Sequence, residues 1–307
     1  MKLDGIHHIT AITADAPGNV DFYTRVMGLR MVKKSVNQDD PTVYHLFYGD
    51  EHARPGLDLT FFEYPGVVRG RAGAGMIHRI LWRVGSSDAL DFWAERLAGE
   101  GIESMREDGR LRFADPEGLE HELAVFDVPD EPLIADHPEV PAEHALQGFQ
   151  GVRAYSFDAE RSRAMLEQAL AFVPTGDGWE ARGEIRGGTY AYDPPPPERG
   201  LQGAGTVHHV AWHSSDEEHE AWGERVRAAG GRPTPVIDRH YFRSIYFREP
   251  SGVLFELATP SPGFTVDEPL ETLGERLSIP PALESRRAEI EAALKPLPYR
   301  RATRERA

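Results

Sequence analysis

Cysteine is absent from all 307 residues of this chain. That absence removes disulfides, thiolate nucleophiles, iron–sulfur clusters and Cys-type zinc sites together, so any metal must be held by nitrogen and oxygen. Long apolar runs are missing as well. Nothing approaches the ~18 residues of a membrane-spanning helix, so no membrane partner is expected. The opening "MKLDGIHHIT" has no apolar signal core, which points to a cytoplasmic protein. Basic charge is scarce: 34 Lys and Arg stand against 50 Asp and Glu, a formal net charge of −16. An acidic surface repels phosphate backbones, so no nucleic-acid partner is expected. The one basic cluster, "YRRATRER" at 299–306, reads as a solvated, frayed end.

What is present is globular: 40% hydrophobic and 27% charged residues, enough chain for two domains. Four stretches share one plan, a short strand, an amphipathic helix, then more strands. The first opens with "IHHITAI", followed by a helix carrying Val20, Phe22, Tyr23, Val26 and Met27 at helical spacing, with Gly28 where a C-cap belongs. The second opens with "MIHRILWRV"; Ser87 or Asp88 is the expected helix cap, and Leu90, Phe92, Trp93 and Leu97 its apolar face. The third opens with "GVRAYSF" and the fourth with "TVHHVAWHS". The second and fourth end alike, "RFADPEGLEHELAV" against "YFREPSGVLFELAT", so Glu122 matches Glu256. The segment 129–148, rich in Pro and charge, reads as a connector. "DPPPPERG" at 193–200 reads as an exposed polyproline-like loop. Beyond Pro260 the repeat ends, and "PALESRRAEIEAALKPL" reads as a terminal helix.

The expected organisation is therefore two halves, 1–128 with modules one and two and 149–260 with modules three and four. A linker at 129–148 joins them, and an extension, 261–307, follows.

Two of the four modules open with adjacent histidines. In a strand alternate side chains share a face, so Ile6, His8, Thr10 and Ile12 face one way and His7, Ile9, Ala11 and Thr13 the other. His209 likewise shares a face with Val207 and Ala211, opposite His208. One histidine of each pair should face a site and its neighbour support it from behind. Glu256, inside the apolar strand "GVLFELAT", is costly to bury unless it is paired or metal-bound. A buried histidine alone is more often a hydrogen-bonded core residue. Two pairs at equivalent module starts, with a buried Glu, favour a metal. Two imidazoles and one carboxylate with open positions suit Fe(II); Mn(II) is compatible and Zn(II) less so. His78 and Glu122 offer a second set, but module three has Val152, Arg153 and Ala154 where a histidine would be needed. If modules one and four share a cavity, only that one has two histidine strands. The second cavity is then structural, with Arg153 pairing with Glu122 or His121.

This pattern resembles the vicinal oxygen chelate superfamily of glyoxalases, bleomycin-resistance proteins and extradiol dioxygenases. It is most similar to the ring-cleaving dioxygenases of the hydroquinone 1,2-dioxygenase type. The resemblance runs through "HHIT", "DFYTRVMGLRMVKKSVNQDD", "YHLFYGD", "VPAEHALQGF", "HHVAW", "DRHYFRSIYFREPSGVLFE", "GFTVDE" and "TLGERLSIPP". It implies an α+β fold in which four βαβββ modules form two such domains, each an open mixed β-barrel with helices outside. It implies His8, His209 and Glu256 as metal ligands, and supporting or catalytic roles for His7, Thr10, His208, Arg239 and Tyr246. His7 or His208 would move protons, Arg239 would hold a phenolate or ring substituent, and Tyr246 would hydrogen-bond substrate or oxygen. The catechol-cleaving members take their ligands from modules three and four, so this sequence departs from them. The implied partners are a small aromatic diol and dioxygen, with assembly into a homo-oligomer left open. A glyoxalase-like lyase or isomerase normally needs four protein ligands, and a bleomycin-resistance-type binding protein has no need of the triad.

Overall fold

The computed structural model describes residues 1–302. Each of the four modules folds as strand, helix and three strands. Module one contains β1 (Ile6–Thr13), α1 (Ala16–Asp21), β2 (Arg30–Val36), β3 (Tyr44–Gly49) and β4 (Asp58–Glu63). Module two contains β5 (Ile77–Val84), α2 (Ser87–Gly99), β6 (Ser104–Glu107), β7 (Arg110–Ala114) and β8 (Glu120–Val125). Module three contains β9 (Phe149–Tyr155), α3 (Glu160–Ala164), β10 (Val173–Thr175), β11 (Gly178–Arg182) and β12 (Gly187–Asp193). Module four contains β13 (Val207–His213), α4 (His219–Ala228), β14 (Ile237–Asp238), β15 (Arg243–Arg248) and β16 (Leu254–Ala258).

Two eight-stranded mixed sheets result, ordered β14-β15-β16-β13-β1-β4-β3-β2 and β10-β11-β12-β9-β5-β8-β7-β6. Each sheet takes one module from each half of the chain: the first joins modules one and four, the second modules two and three. The opening strands meet in the middle, β1 antiparallel to β13 and β5 antiparallel to β9. This is the α+β, four-module architecture expected above.

Local chemistry explains the elements. The helix cap of module two is Ser86, whose hydroxyl accepts from Ala89 N at 3.2 Å, one residue before the expected Ser87 or Asp88. In modules one and three the helix widens at its end: Met27 N bonds Phe22 O at 2.9 Å and Leu170 N bonds Met165 O at 3.0 Å, one residue beyond the α-helical partner. Gly28 follows in the left-handed region at φ +67°, and Ala171 occupies the equivalent place at φ +58°. The acid of each closing turn caps its own loop. Asp115 accepts from Glu117 N and Leu119 N at 2.9 and 2.8 Å; Glu249 accepts from Ser251 N and Val253 N at 2.9 and 3.0 Å.

The connecting segment 129–148 has no helix or strand but is anchored. Leu133, Val140 and Leu146 are buried, and Asp130 binds Arg83 and Arg182 at 2.5 and 2.7 Å. The extension lies along β2 and is less helical than expected, with a 3-10 turn at Pro281–Arg286 before α5 (Arg287–Ala293). Lys33 on β2, fully buried, donates to Asp267 at 2.6 Å and to Glu268. Phe264 packs on Phe47 and Tyr241, so the extension walls one side of the first sheet's concavity.

The end of the chain corrects an expectation. Of the stretch 299–306, only residues to 302 are described: Arg300 and Ala302 are exposed as expected, but Tyr299 packs on the core and Arg301 pairs with Glu51 at 2.5 Å. The remainder lies outside the described residues. Among the described residues no helix is long and apolar enough to cross a membrane.

Candidate metal centre

The central strands of the first sheet converge on one point. β1 supplies His8, β13 supplies His209 and β16 supplies Glu256. His8 Nε2 lies 3.2 Å and His209 Nε2 2.9 Å from Glu256 Oε2, and the two Nε2 atoms are 3.3 Å apart. All three residues are buried, Glu256 completely. Among the described residues this is the one cluster of histidine and carboxylate donors close enough to share an ion.

The supporting contacts decide which atoms face that point. His7 Nε2 lies 3.1 Å from the carbonyl of Thr259, which can only accept, so His7 carries its hydrogen there. Burial, reinforced by His8 and His213, holds the His7 pKa well below 6.5, so the ring is neutral and Nδ1 is an acceptor. His8 Nδ1 sits 2.9 Å away and therefore donates. A neutral His8 is left with a bare lone pair on Nε2, the form that binds a metal. His208 repeats the contact, its Nδ1 2.8 Å from His209 Nδ1. Burial lowers the His208 pKa to about 3.

The triangle fits a cation. Bare nitrogens and a carboxylate oxygen about 3 Å apart repel one another unless positive charge lies between them. The three donor atoms are close enough to share one ion. Burial would raise the Glu256 pKa, but His8 and His209 hold it well below the carboxylate range. Glu256 also draws a proton to His8, whose pKa is raised although burial opposes it. A metal ion would take the place of that proton.

Above the triangle opens a cavity whose free space, together with its open mouth, is about 460 Å³. His8, His209 and Glu256 line it with Arg239, Tyr246 and Phe242, and Phe47 and Phe62 form the opposite wall. Tyr246 is cross-strand partner to Glu256. Burial and Glu256 raise its pKa, keeping the phenol neutral. Arg239 lies over the Tyr246 ring at 5.4 Å and pairs with Asp39 of module one at 3.0 Å. Thr10 is cross-strand partner to His209, and its hydroxyl reaches His209 Nε2 at 2.9 Å. His7 and His208 stand behind the wall, while Thr10, on the His8 face of β1, sits beside His209 Nε2 without lining the cavity. The sequence reading missed His45, Thr60, Phe62 and Phe242, since none belongs to a repeated motif. Strand alternation alone places His45 on the same face as Phe47.

The second sheet carries the equivalent cleft, open but lined by ion pairs. Glu122, buried, is held by Arg79, Arg110 and Arg112. His78 Nε2 bonds Asp193 at 2.8 Å and its ring stacks on Tyr155. Arg153 pairs with Asp193 and Asp177 at 2.7 and 2.5 Å, not with the expected Glu122 or His121. His121 points into the core instead, between Trp82 Nε1 at 3.0 Å and the Tyr23 hydroxyl at 3.1 Å.

Paired modules with a His-His-Glu pole belong to a recognised class. The chain is a member of the Glyoxalase/Bleomycin resistance protein/Dioxygenase superfamily, whose family model matches residues 5–123 and 139–257. Among its relatives, the Bacillus subtilis (strain 168) protein named "Putative ring-cleaving dioxygenase MhqA" is 42% identical, over 97% of this chain and 100% of its own length. A Sphingobium indicum protein named "Chlorohydroquinone/hydroquinone 1,2-dioxygenase" is 33% identical, over 94% of this chain and 95% of its own. A crystal structure described as a "putative dioxygenase" from Bacillus subtilis subsp. subtilis str. 168 superposes with a TM-score of 0.89 at 37% identity, covering 98% of this chain and 99% of that one.

Proposed function

We propose that this protein is a metal-dependent ring-cleaving dioxygenase that opens a hydroquinone or a related dihydroxylated aromatic ring with dioxygen. The observation that carries the reading is the triangle of His8 Nε2, His209 Nε2 and Glu256 Oε2 beneath an aromatic-walled cavity. The similarity to named ring-cleaving dioxygenases along nearly the whole chain supports it.

His8, His209 and Glu256 would hold the metal, Fe(II) by preference, with Mn(II) second and Zn(II) third. When bound, such a metal supplies open coordination positions and redox activity toward a ring oxygen and dioxygen. The chain's own residues do the rest. Phe47, Phe62 and Phe242 give the ring an apolar slot and exclude water. The Arg239 guanidinium, steadied by Asp39, favours an ionised or partly negative ring hydroxyl through charge-assisted hydrogen bonding. Tyr246, kept protonated, donates a hydrogen bond into the same space. His7, with both nitrogens engaged, holds His8 in its ligating tautomer, and His208 meets His209 through the same Nδ1 contact in module four. Three protein ligands rather than four would leave coordination positions open for substrate and dioxygen, which suits oxygen chemistry better than isomerisation.

The test is metal analysis of protein purified under argon, followed by oxygen uptake with hydroquinone and with catechol. One equivalent of metal per chain and hydroquinone-dependent uptake are expected. Metal-loaded protein that takes up no oxygen with either diol would reject the reading.

A further inference from the structure

The cavity wall holds a histidine that none of these roles uses. His45, on β3, lines the cavity and is packed between Phe47 and Phe62, ring centroids 3.9 and 4.4 Å away. Its Nε2 meets the Thr60 hydroxyl at 3.0 Å. Thr60 donates to the Thr10 hydroxyl at 2.8 Å, and Thr10 reaches His209 Nε2 at 2.9 Å. The row has one direction. Thr60 has a single hydroxyl hydrogen and gives it to Thr10, so toward His45 its oxygen accepts and His45 donates from Nε2. Burial holds the His45 pKa well below 6.5, so the ring is neutral and Nδ1 bears a lone pair. Among the described residues nothing donates to that Nδ1, and it is not one of the buried polar atoms left without a partner. The lone pair is therefore accessible, on a residue that lines the cavity two threonines removed from the metal pole.

We propose that His45 Nδ1 accepts a hydrogen bond from the ring hydroxyl turned away from the metal pole, and so selects dihydroxylated rings over rings with that oxygen capped. Thr60 and Thr10 are positioning residues that fix the His45 tautomer. The proposal rests on the ring-diol reading above and adds the residue that reads the second hydroxyl. A capped oxygen would leave the Nδ1 acceptor without a donor, and such losses are larger than the gain from making the bond.

The test is equilibrium binding under argon, where no turnover occurs, using hydroquinone and 4-methoxyphenol on the full-length, Fe(II)-loaded protein. The variants are His45→Phe, which keeps an aromatic ring between Phe47 and Phe62, His45→Asn, whose amide oxygen falls near Nδ1, and Thr60→Val. Metal content is measured first for each. The wild type should prefer hydroquinone by roughly tenfold. His45→Phe should bind both ligands alike, His45→Asn should keep part of the preference, and Thr60→Val should lie between. An unchanged preference in His45→Phe overturns the proposal. So does a wild type with no preference, which decides the matter even if His45→Phe does not fold. Oxygen uptake separates the two readings. A His45-dependent preference without oxygen uptake by the wild type rejects ring cleavage and leaves the hydrogen bond standing. Uptake with a preference indifferent to His45 does the reverse.

Discussion

His7 donates from Nε2 to the carbonyl of Thr259 at 3.1 Å, across 252 residues of chain. That bond sets the His7 tautomer, which sets the His8 tautomer, which leaves His8 Nε2 bare toward Glu256. Supporting partners of metal-bound histidines are commonly worth about 10–100-fold in metal affinity. His7→Phe should weaken metal binding by about that factor, measured by competition with a chelator. His7→Asn, whose carbonyl can accept from His8 Nδ1, should recover much of the loss. Wild-type affinity in His7→Phe would show that His8 needs no such partner.

The two sheets should differ in metal content. Glu122 is committed to three arginines and His78 to Asp193, so the second cleft has no spare negative charge for a cation. His78→Ala should leave the metal stoichiometry of the purified protein unchanged, while His209→Ala should abolish it. Loss of metal in His78→Ala, by elemental analysis, would place a second ion in that cleft.

Ala171 adopts φ +58° where the equivalent residue of module one is Gly28 at +67°. A left-handed conformation strains any residue with a Cβ. Ala171→Gly should therefore raise stability by about 0.5–1 kcal/mol, after the added flexibility of the unfolded chain is offset. Gly28→Ala should be worse than neutral, because the new Cβ would lie 2.8 Å from a Val140 methyl. Thermal unfolding of both variants reads the two signs; a lower midpoint for Ala171→Gly would contradict the strain argument.

Acid should act on the Trp82–His121–Tyr23–Asp115 row in the core. Trp82 donates to His121 Nδ1, and Tyr23 donates to Asp115 at 2.9 Å. Burial lowers His121 from 6.5 to about 3 and raises Asp115 from 3.8 to about 6. Between its two values the native His121 binds fewer protons than the unfolded chain, so its contribution is lost as pH falls. Native Asp115 binds more protons between 3.8 and about 6, so its contribution grows as pH falls. The two offset one another over that window. Asp115→Asn removes the offset, and the stability of the wild type relative to the variant should rise by about 2 kcal/mol from pH 6 to pH 4 in urea unfolding. A gap independent of pH would rule out the Asp115 shift.

The modular plan and the converging triad were legible because both are local patterns. Strand alternation separates His8 from His7 and His209 from His208, and the repeat aligns Glu256 with Glu122. The missing histidine at Val152–Ala154 already hinted that modules one and four share a cavity. What stayed hidden depends on distant contacts. No local signal ties Arg153 to Asp177 and Asp193, and none brings Asp267 and Glu268 to Lys33 across the whole chain. The helix cap at Ser86 rather than Ser87 or Asp88 is a choice among adjacent capping residues that spacing does not resolve. His45 escaped notice because its neighbours on the site face, Thr60 and Phe62, come from another strand.

Ring opening with dioxygen is tested most directly by mass spectrometry of the product formed from hydroquinone under ¹⁸O₂ by the Fe(II)-loaded protein. Incorporation of both atoms of one dioxygen molecule into a ring-opened product, absent in Glu256→Gln, is the predicted result. A product with the ring intact, or with no label from dioxygen, would contradict it.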